Sequence, residues 1–210
     1  RGTNGGGFFN VNSAHPYENP TPLTNLSEML MIAVLPASLT YPFGRMVKRQ
    51  RQGWLIFWVM TLLFTAGLVF GAWAEQNGNP AITALGVNTR GSGFQPGGNM
   101  EGKEVRFGIH GSVLAAITTS NGATGSYNSM HDSYTPLGGM IPLVNMLLGE
   151  IIYGGLGTGL YSMVMLILVS VFIGGLMVGH TPSYLGKRLT IAETKLIGLY
   201  TVSYTHLRAH

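Results

Sequence analysis

The 210-residue chain is 46% hydrophobic and only 10% charged, with 31 glycines and no cysteine. That charge content lies far below the ~25% of soluble domains, and with a positive mean hydropathy it excludes coiled coil, collagen and disorder and leaves the membrane class. The missing cysteines remove a disulfide framework, a thiolate metal site and a Cys nucleophile, and the net charge of +4 sits in short basic clusters beside apolar runs, a topological signal rather than a nucleic-acid footprint.

The chain opens at Arg1 on a Gly-rich stretch with no secretory leader, and is expected to be an internal piece of a longer protein. Residues 23–43 are apolar but interrupted by Glu28, Pro36 and Pro42, which predicts a kinked helix with its Glu28 side facing protein. Arg45, Lys48, Arg49 and Arg51 follow. Residues 52–74 contain no Asp, Glu, Lys or Arg and carry Trp54, Trp58 and Trp73 near their ends; at ~1.5 Å per residue they cross a ~30 Å hydrocarbon layer with indoles at the interfaces. Residues 75–110 read as a polar external cap. Residues 111–153 are apolar yet filled with Gly, Pro, Thr, Ser and Asn, and residues 156–178 form a second uncharged span. Lys187, Arg188 and Lys195 come after it, and residues 201–210 leave the apolar pattern and are expected to be a non-native tail without function.

Short loops rich in Lys and Arg stay cytoplasmic. With both basic clusters inside, helix 52–74 leaves, helix 156–178 returns, and residues 75–155 make no net crossing. The apolar, Gly-rich stretch 111–153 is therefore expected to be re-entrant. Irregular backbone at membrane depth is tolerated only where it is buried in protein or lines a watery cavity, so a cavity or pore is implied.

Two segments share a polar, Gly-bearing character: Thr3-Asn4-Gly5-Gly6-Gly7 and Thr118-Thr119-Ser120-Asn121-Gly122-Ala123-Thr124-Gly125. A cation filter needs main-chain carbonyls aimed at an axis, and Gly permits the φ values that aim consecutive carbonyls alike. No charged side chain lies in either segment, which favours dehydrated monovalent cations over anions. The residues alone leave two readings open, a carbonyl-lined filter or Gly-rich turns that let helices pack.

Gly2-Thr-Asn-Gly-Gly-Gly-Phe-Phe-Asn10, Asn19-Pro-Thr-Pro-Leu-Thr-Asn25, Asn99-Met-Glu-Gly-Lys-Glu104, Asn128-Ser-Met-His-Asp-Ser133 with Thr135-Pro-Leu-Gly-Gly139, and Thr181-Pro-Ser-Tyr-Leu-Gly186 together resemble the potassium-binding A subunit of the Kdp potassium-transporting ATPase. The resemblance covers roughly residues 1–200. It implies an all-α membrane protein of membrane-pore-membrane repeats with re-entrant pore loops, as in the wider potassium transporter superfamily. On that pattern, residues 1–44 hold the second filter strand and its inner helix, 45–51 a cytoplasmic loop, and 52–180 the third repeat. The repeat divides into outer helix 52–74, external cap 75–110, pore helix and filter 111–128, and a broken inner helix with its gate loop over 129–180. Residues 181–200 begin the fourth repeat.

The resemblance further implies K+ bound at Thr3, Asn4 and Gly5 and at Ala123, Thr124 and Gly125, and a gate marked by Gly138, Gly139, Glu150 and His180. Tyr127 departs from the family's usual Val, and His180 replaces a common Arg, exchanging a permanent charge for a titratable one. The implied subunit hydrolyses nothing itself and needs no organic cofactor. It sits in the bacterial inner membrane as a multi-pass protein beside a catalytic P-type ATPase subunit and two small accessory subunits, with no role for nucleic acid. A passive Trk-like potassium channel subunit is the alternative within transport.

An intramembrane hydrolase built on Ser129, His131, Asp132 and Ser133 is disfavoured because adjacent residues point apart and form no nucleophile–base–orienter chain. Asp132 is instead expected to brace the filter strand from outside. Gly155 with Gly159 and Gly175 with Gly179 read as helix-packing glycines. Glu101 and Glu104 lie in the cap, where attraction of cations is at most secondary. No metal-ligand spacing such as His-Glu-x-x-His occurs, and no phosphate loop.

Overall fold

The structure, a computed structural model, describes residues 5–155 and 158–208, with side chains up to residue 203. The chain divides into two compact units, residues 1–159 and 160–210.

In the first unit, α1 (Pro22–Ser38) starts at a reciprocal cap. Thr24 N donates to Thr21 Oγ1 at 3.2 Å, and Thr21 N donates to Thr24 Oγ1 at 3.0 Å. Pro36, which cannot donate to the helix ladder, stands in its last turn, and at Leu39 the chain passes into α2 (Thr40–Met46). The expected kink is there, and Glu28 is buried. At the next corner Lys48 has φ +54 and Arg49 N donates to Gly44 O at 3.0 Å, folding α3 (Gln50–Gln76) back along α2. The α3 helix runs two residues beyond the expected span at each end.

The cap contains one short helix, α4 (Pro80–Ala84), started by Asn79, whose side chain accepts from Ala81 N at 3.0 Å. The next helix, α5 (Gly108–Asn121), has 14 residues and so spans about 21 Å, short of the ~30 Å of a bilayer core. It packs on α1, α3 and α6 (Pro136–Leu147). Ile109, Val113, Ala116, Ile117, Tyr134 and Ile141 form its main core, joined by Phe64, Leu68 and Ala72 from α3. A second cluster joins Met29, Ala115 and Tyr127.

The polarity of this unit is inverted. Asn19, Asn25, Glu28, Glu75, Asn99, Ser112, Thr119 and Asn121 are buried, whereas Leu30, Met31, Trp54, Trp58, Leu62, Val69 and Trp73 are exposed. Pro22–Met46, Gln50–Ala84 and Thr158–Val178 are each long and apolar enough to cross a membrane. Only 22%, 17% and 6% of their respective most apolar windows is buried. Apolar belts of this length around a polar interior are stable in lipid and costly in water; this is a mostly helical membrane protein.

The second unit holds most of α7 (Thr158–Val178), a two-stranded hairpin and α8 (Ile191–Arg208). His180 N donates to Gly175 O at 3.0 Å where α7 ends. Strands β1 (Ser183–Tyr184) and β2 (Lys187–Arg188) pair antiparallel across Leu185 and Gly186, whose φ of +54 and +85 are those of a two-residue type I′ turn. Thr190 and Glu193 form a capping box at α8, with Thr190 N donating to Glu193 Oε2 at 2.8 Å and Glu193 N to Thr190 Oγ1 at 3.3 Å. Lys187, 2.6 Å from Glu193 Oε1, joins the two Thr190 donors in holding that carboxyl down at about 2. The α8 helix runs on through residues 201–208.

Candidate functional site

Thr118 and Thr119 sit in the last turn of α5, and their carbonyls anchor the segment that follows. Gly122 N donates to Thr118 O at 3.0 Å, and Thr124 N and Gly125 N donate to Thr119 O at 3.0 and 3.3 Å. Ala123 at φ +58 and Gly125 at φ +81 flank Thr124, so the chain reverses out of the helix without a regular strand. A Cβ at Gly125 would enter open space, but L side chains rarely adopt this φ, so the position favours Gly. Gly5 has the same character, φ +78 with open space around its Cα. Thr3 and Asn4 lie outside the described residues.

The chain just beyond Gly5 is brought against the 124–128 segment, although more than a hundred residues separate them. Asn12 Nδ2 donates to Thr124 O at 3.4 Å, Tyr127 OH to Ser13 O at 2.9 Å, and Asn19 Nδ2 to Tyr127 OH at 3.1 Å. The single proton of the Tyr127 hydroxyl is shared between two acceptors, Ser13 O and the Glu28 carboxylate of α1. Asn128 Nδ2 donates to Asn25 Oδ1 at 3.0 Å, and the same oxygen accepts from Asn19 Nδ2 at 3.1 Å. Arg106, just before α5, donates to Asn19 O and Ala14 O at 2.6 Å each.

A second polar centre lies at the end of α3. Glu75 and Lys103 pair at 2.7 Å with both side chains fully buried. Glu75 Oε1 accepts from Thr135 N at 2.9 Å and Thr135 Oγ1 at 2.7 Å, and Oε2 accepts from Asn99 Nδ2 at 2.8 Å. Burial pulls Lys103 below the ordinary lysine value, opposed by its bond and charge attraction to Glu75; its ammonium lies 4.1 Å from the centre of the Tyr134 ring. The cap then pairs with the chain leaving the 123–127 segment: Met130 N donates to Gly102 O at 2.8 Å and Glu104 N to Asn128 O at 3.2 Å. Glu75 therefore connects α3, the cap and the start of α6.

Of the expected gate residues in the first unit, Gly138 and Gly139 lie at one end of α6 and Glu150 beyond the other. Gly138 and Gly139 stand in the first turn of α6, where Thr135 Oγ1 caps Gly138 N at 3.1 Å. A Cβ on Gly138 would overlap the Glu75 carboxylate, so this glycine serves close packing in a helix and not a flexible loop. At its other end α6 stops at Leu147. There Glu150 at φ +58 donates its N–H to Asn145 O at 3.1 Å, and Tyr153 OH donates to Phe57 O of α3 at 3.0 Å. Asn145 ties this end to α5 through Ser120 Oγ at 3.1 Å. His180 is exposed in the second unit.

Ser129 Oγ meets Tyr134 OH at 2.9 Å, not His131, and Asp132 is exposed. The residues hold no nucleophile–base chain, and the bracing expected of Asp132 is carried by Tyr127, Asn128 and the cap. Burial lowers the His131 pKa from its ordinary value. Among the described residues no group of three His, Asp or Glu side chains could hold a metal ion.

The family described as "KdpA: Potassium-transporting ATPase A subunit" matches residues 1–207. The chain belongs to this family. Relatives named potassium-transporting ATPase potassium-binding subunit include those of Solibacter usitatus, 57% identical over 198 residues, and Paracidovorax citrulli, 58% identical over 195. A third, from Sorangium cellulosum, is 57% identical over 198 residues. These matches take in 94%, 93% and 94% of this chain but 34%, 32% and 34% of the relatives, so the chain spans about a third of their length.

For this member of the potassium-transporting ATPase A subunit family, sequence reasoning marked both Gly-bearing segments but missed Glu75 and Lys103. One signal was available: Glu75 closes the uncharged stretch 52–74, and a carboxylate abutting an apolar span needs a partner. It also missed that Glu28 meets Tyr127, because nothing local relates a helix position to a filter position so distant in sequence.

Proposed function

We propose that the chain is part of a potassium-binding, translocating subunit of an ATP-driven potassium uptake complex. K+ enters a filter to which Thr3, Asn4 and Gly5 contribute from one repeat and Ala123, Thr124 and Gly125 from the next, with α5 as the re-entrant pore helix behind the latter. Carbonyl and hydroxyl oxygens replace the water that K+ sheds, and the absence of charged side chains in both segments leaves binding weak enough for release. The ion then passes an intramembrane gate at the break around Glu150 and travels by a tunnel to the catalytic P-type subunit, where ATP is hydrolysed. Two small accessory subunits complete the complex in the bacterial inner membrane, and His180 modulates the gate.

The observation that carries this reading is the family match over residues 1–207. The approach of residues 12–19 to Thr124 and Tyr127 supports it, since a filter needs its repeats side by side. The test is Gly125→Asp in the full-length subunit within its complex, reading K+-stimulated ATPase activity. The reading requires K+ affinity to fall by roughly a hundredfold or more, since a negative charge placed in an uncharged filter segment and a φ that L side chains rarely adopt both disturb the carbonyls there. Unchanged K+ dependence in an assembled complex would refute it.

A further inference from the structure

Tyr127 lies two residues beyond Gly125. Its ring is buried with Met29 and Ala115, and its hydroxyl is held by Glu28 of α1, by Ser13 O and by Asn19 Nδ2. On the next residue, Asn128 Nδ2 reaches Asn25 Oδ1 at 3.0 Å. The backbone between these ties and the Thr119 carbonyl is short, running from Ala123 to Ser126, and around Gly125 an added Cβ would touch nothing. Both ends of the stretch are therefore fixed; between them Thr124 is held by Asn12 and Thr119, while the side-chain space at Gly125 is open.

Oxygens that replace a hydration shell distinguish cations of similar size only as well as they are held, and groups holding a site to a fraction of an ångström are those whose own positions are locked by packing and hydrogen bonds. At Tyr127 and Asn128 the polar part of that locking comes from α1 and the chain leading into it, and α5 adds only apolar packing through Ala115.

We propose that Tyr127 and Glu28 are positioning residues that set the ion preference of the filter, by tying the outer end of the third filter strand to α1. The hydroxyl is the essential group, and the ring supplies burial that a Phe retains. The inference rests on the filter reading above, and the two fail separately. Gly125→Asp tests whether the strand binds K+ at all, whereas the strut is tested by variants that leave every filter residue in place.

The experiment uses the full complex reconstituted in lipid, with ATPase activity measured against K+ and against Rb+ for Tyr127→Phe, Glu28→Gln and the double variant. Tyr127→Phe is expected to raise KM for K+ about tenfold or more, the effect of losing the buried hydroxyl's ties to Glu28, Ser13 O and Asn19 Nδ2 together. It should narrow the ratio of the Rb+ and K+ KM values and leave kcat at saturating K+ within about twofold. Glu28→Gln is expected to shift KM in the same direction by less, because the amide still offers an oxygen. The double variant is expected to resemble Tyr127→Phe alone, since Glu28 acts through the hydroxyl that Tyr127→Phe already removes. An unchanged Rb+ to K+ ratio in Tyr127→Phe overturns the proposal, as does a fall in kcat at constant KM. Additive effects in the double variant overturn it too. Should Tyr127→Phe fail to assemble, a Glu28→Gln complex with unaltered KM and ratio overturns it equally.

Discussion

Removing one partner of the Glu75–Lys103 pair exposes how the external cap is held. Both side chains are fully buried and 2.7 Å apart, and breaking such a pair from one side costs about 3–5 kcal/mol because an uncompensated charge stays inside. The two sides are unequal here. Lys103→Met leaves the carboxylate with three donors, Asn99 Nδ2 at 2.8 Å, Thr135 N at 2.9 Å and Thr135 Oγ1 at 2.7 Å, so the cost falls near ~3 kcal/mol. Glu75→Gln leaves a buried ammonium with no carboxylate bonded to it, only a carboxamide oxygen, Glu101 O at 3.5 Å and the Tyr134 ring at 4.1 Å, so the cost falls near ~5 kcal/mol. At ~1.4 kcal/mol per decade these correspond to opening of the cap enhanced roughly a hundredfold and a thousandfold or more.

Hydrogen exchange reads such opening directly, because Asn99 N donates to Glu75 O and Thr135 N to Glu75 Oε1. Peptides covering residues 99–104 and 130–139 are expected to exchange faster in both variants, more so in Glu75→Gln. The double variant, which removes both charges, is expected to exchange more slowly than Glu75→Gln alone. Exchange within threefold of the parent in both single variants would refute the argument, and so would a double variant faster than either.

Two other expectations concern topology and pH. With no native cysteine, single-Cys substitutions are clean reporters: an impermeant thiol reagent added outside is expected to label position 92 and not position 49, and the reverse pattern would overturn the orientation drawn from the basic clusters. Burial lowers the His131 pKa from the ordinary histidine value of ~6.5, so the unfolded chain takes up this proton at higher pH than the folded one. Its contribution to stability is complete above that value and declines as pH falls through it toward the lower folded value. Thermal stability measured across this range is expected to drop less in His131→Gln than in the parent, and identical slopes would remove His131 from the account.

The spans were legible because composition alone drives them. The uncharged run 52–74 needs lipid whatever its neighbours do, and it is the heart of α3. Glu28 was legible as an inward position because a carboxylate on an otherwise apolar helix has few places to go. Gly138 reads from the sequence as loop glycine, yet it stands in a helix with a carboxylate lying where its Cβ would be. Tyr127 marked itself by its size, but its partner came from tertiary proximity. The β1–β2 turn passed unnoticed because Leu185-Gly186 is not the Asn-Gly or Asp-Gly pair that announces a hairpin.

The polar ties between residues 12–28 and 104–128 also bear on how such a protein can be assembled and how its gene can change. Tyr127, Asn128 and Arg106 all find partners on chain already synthesised, so α5 packs beside a wall that stands ready for it. Transplanted alone, the later segment would carry a tyrosine hydroxyl, a carboxamide and a guanidinium into a site without their acceptors, each at a cost of several kcal/mol in hydrocarbon. A change at Asn19 or Glu28 is felt about a hundred residues further along the chain and must be answered there.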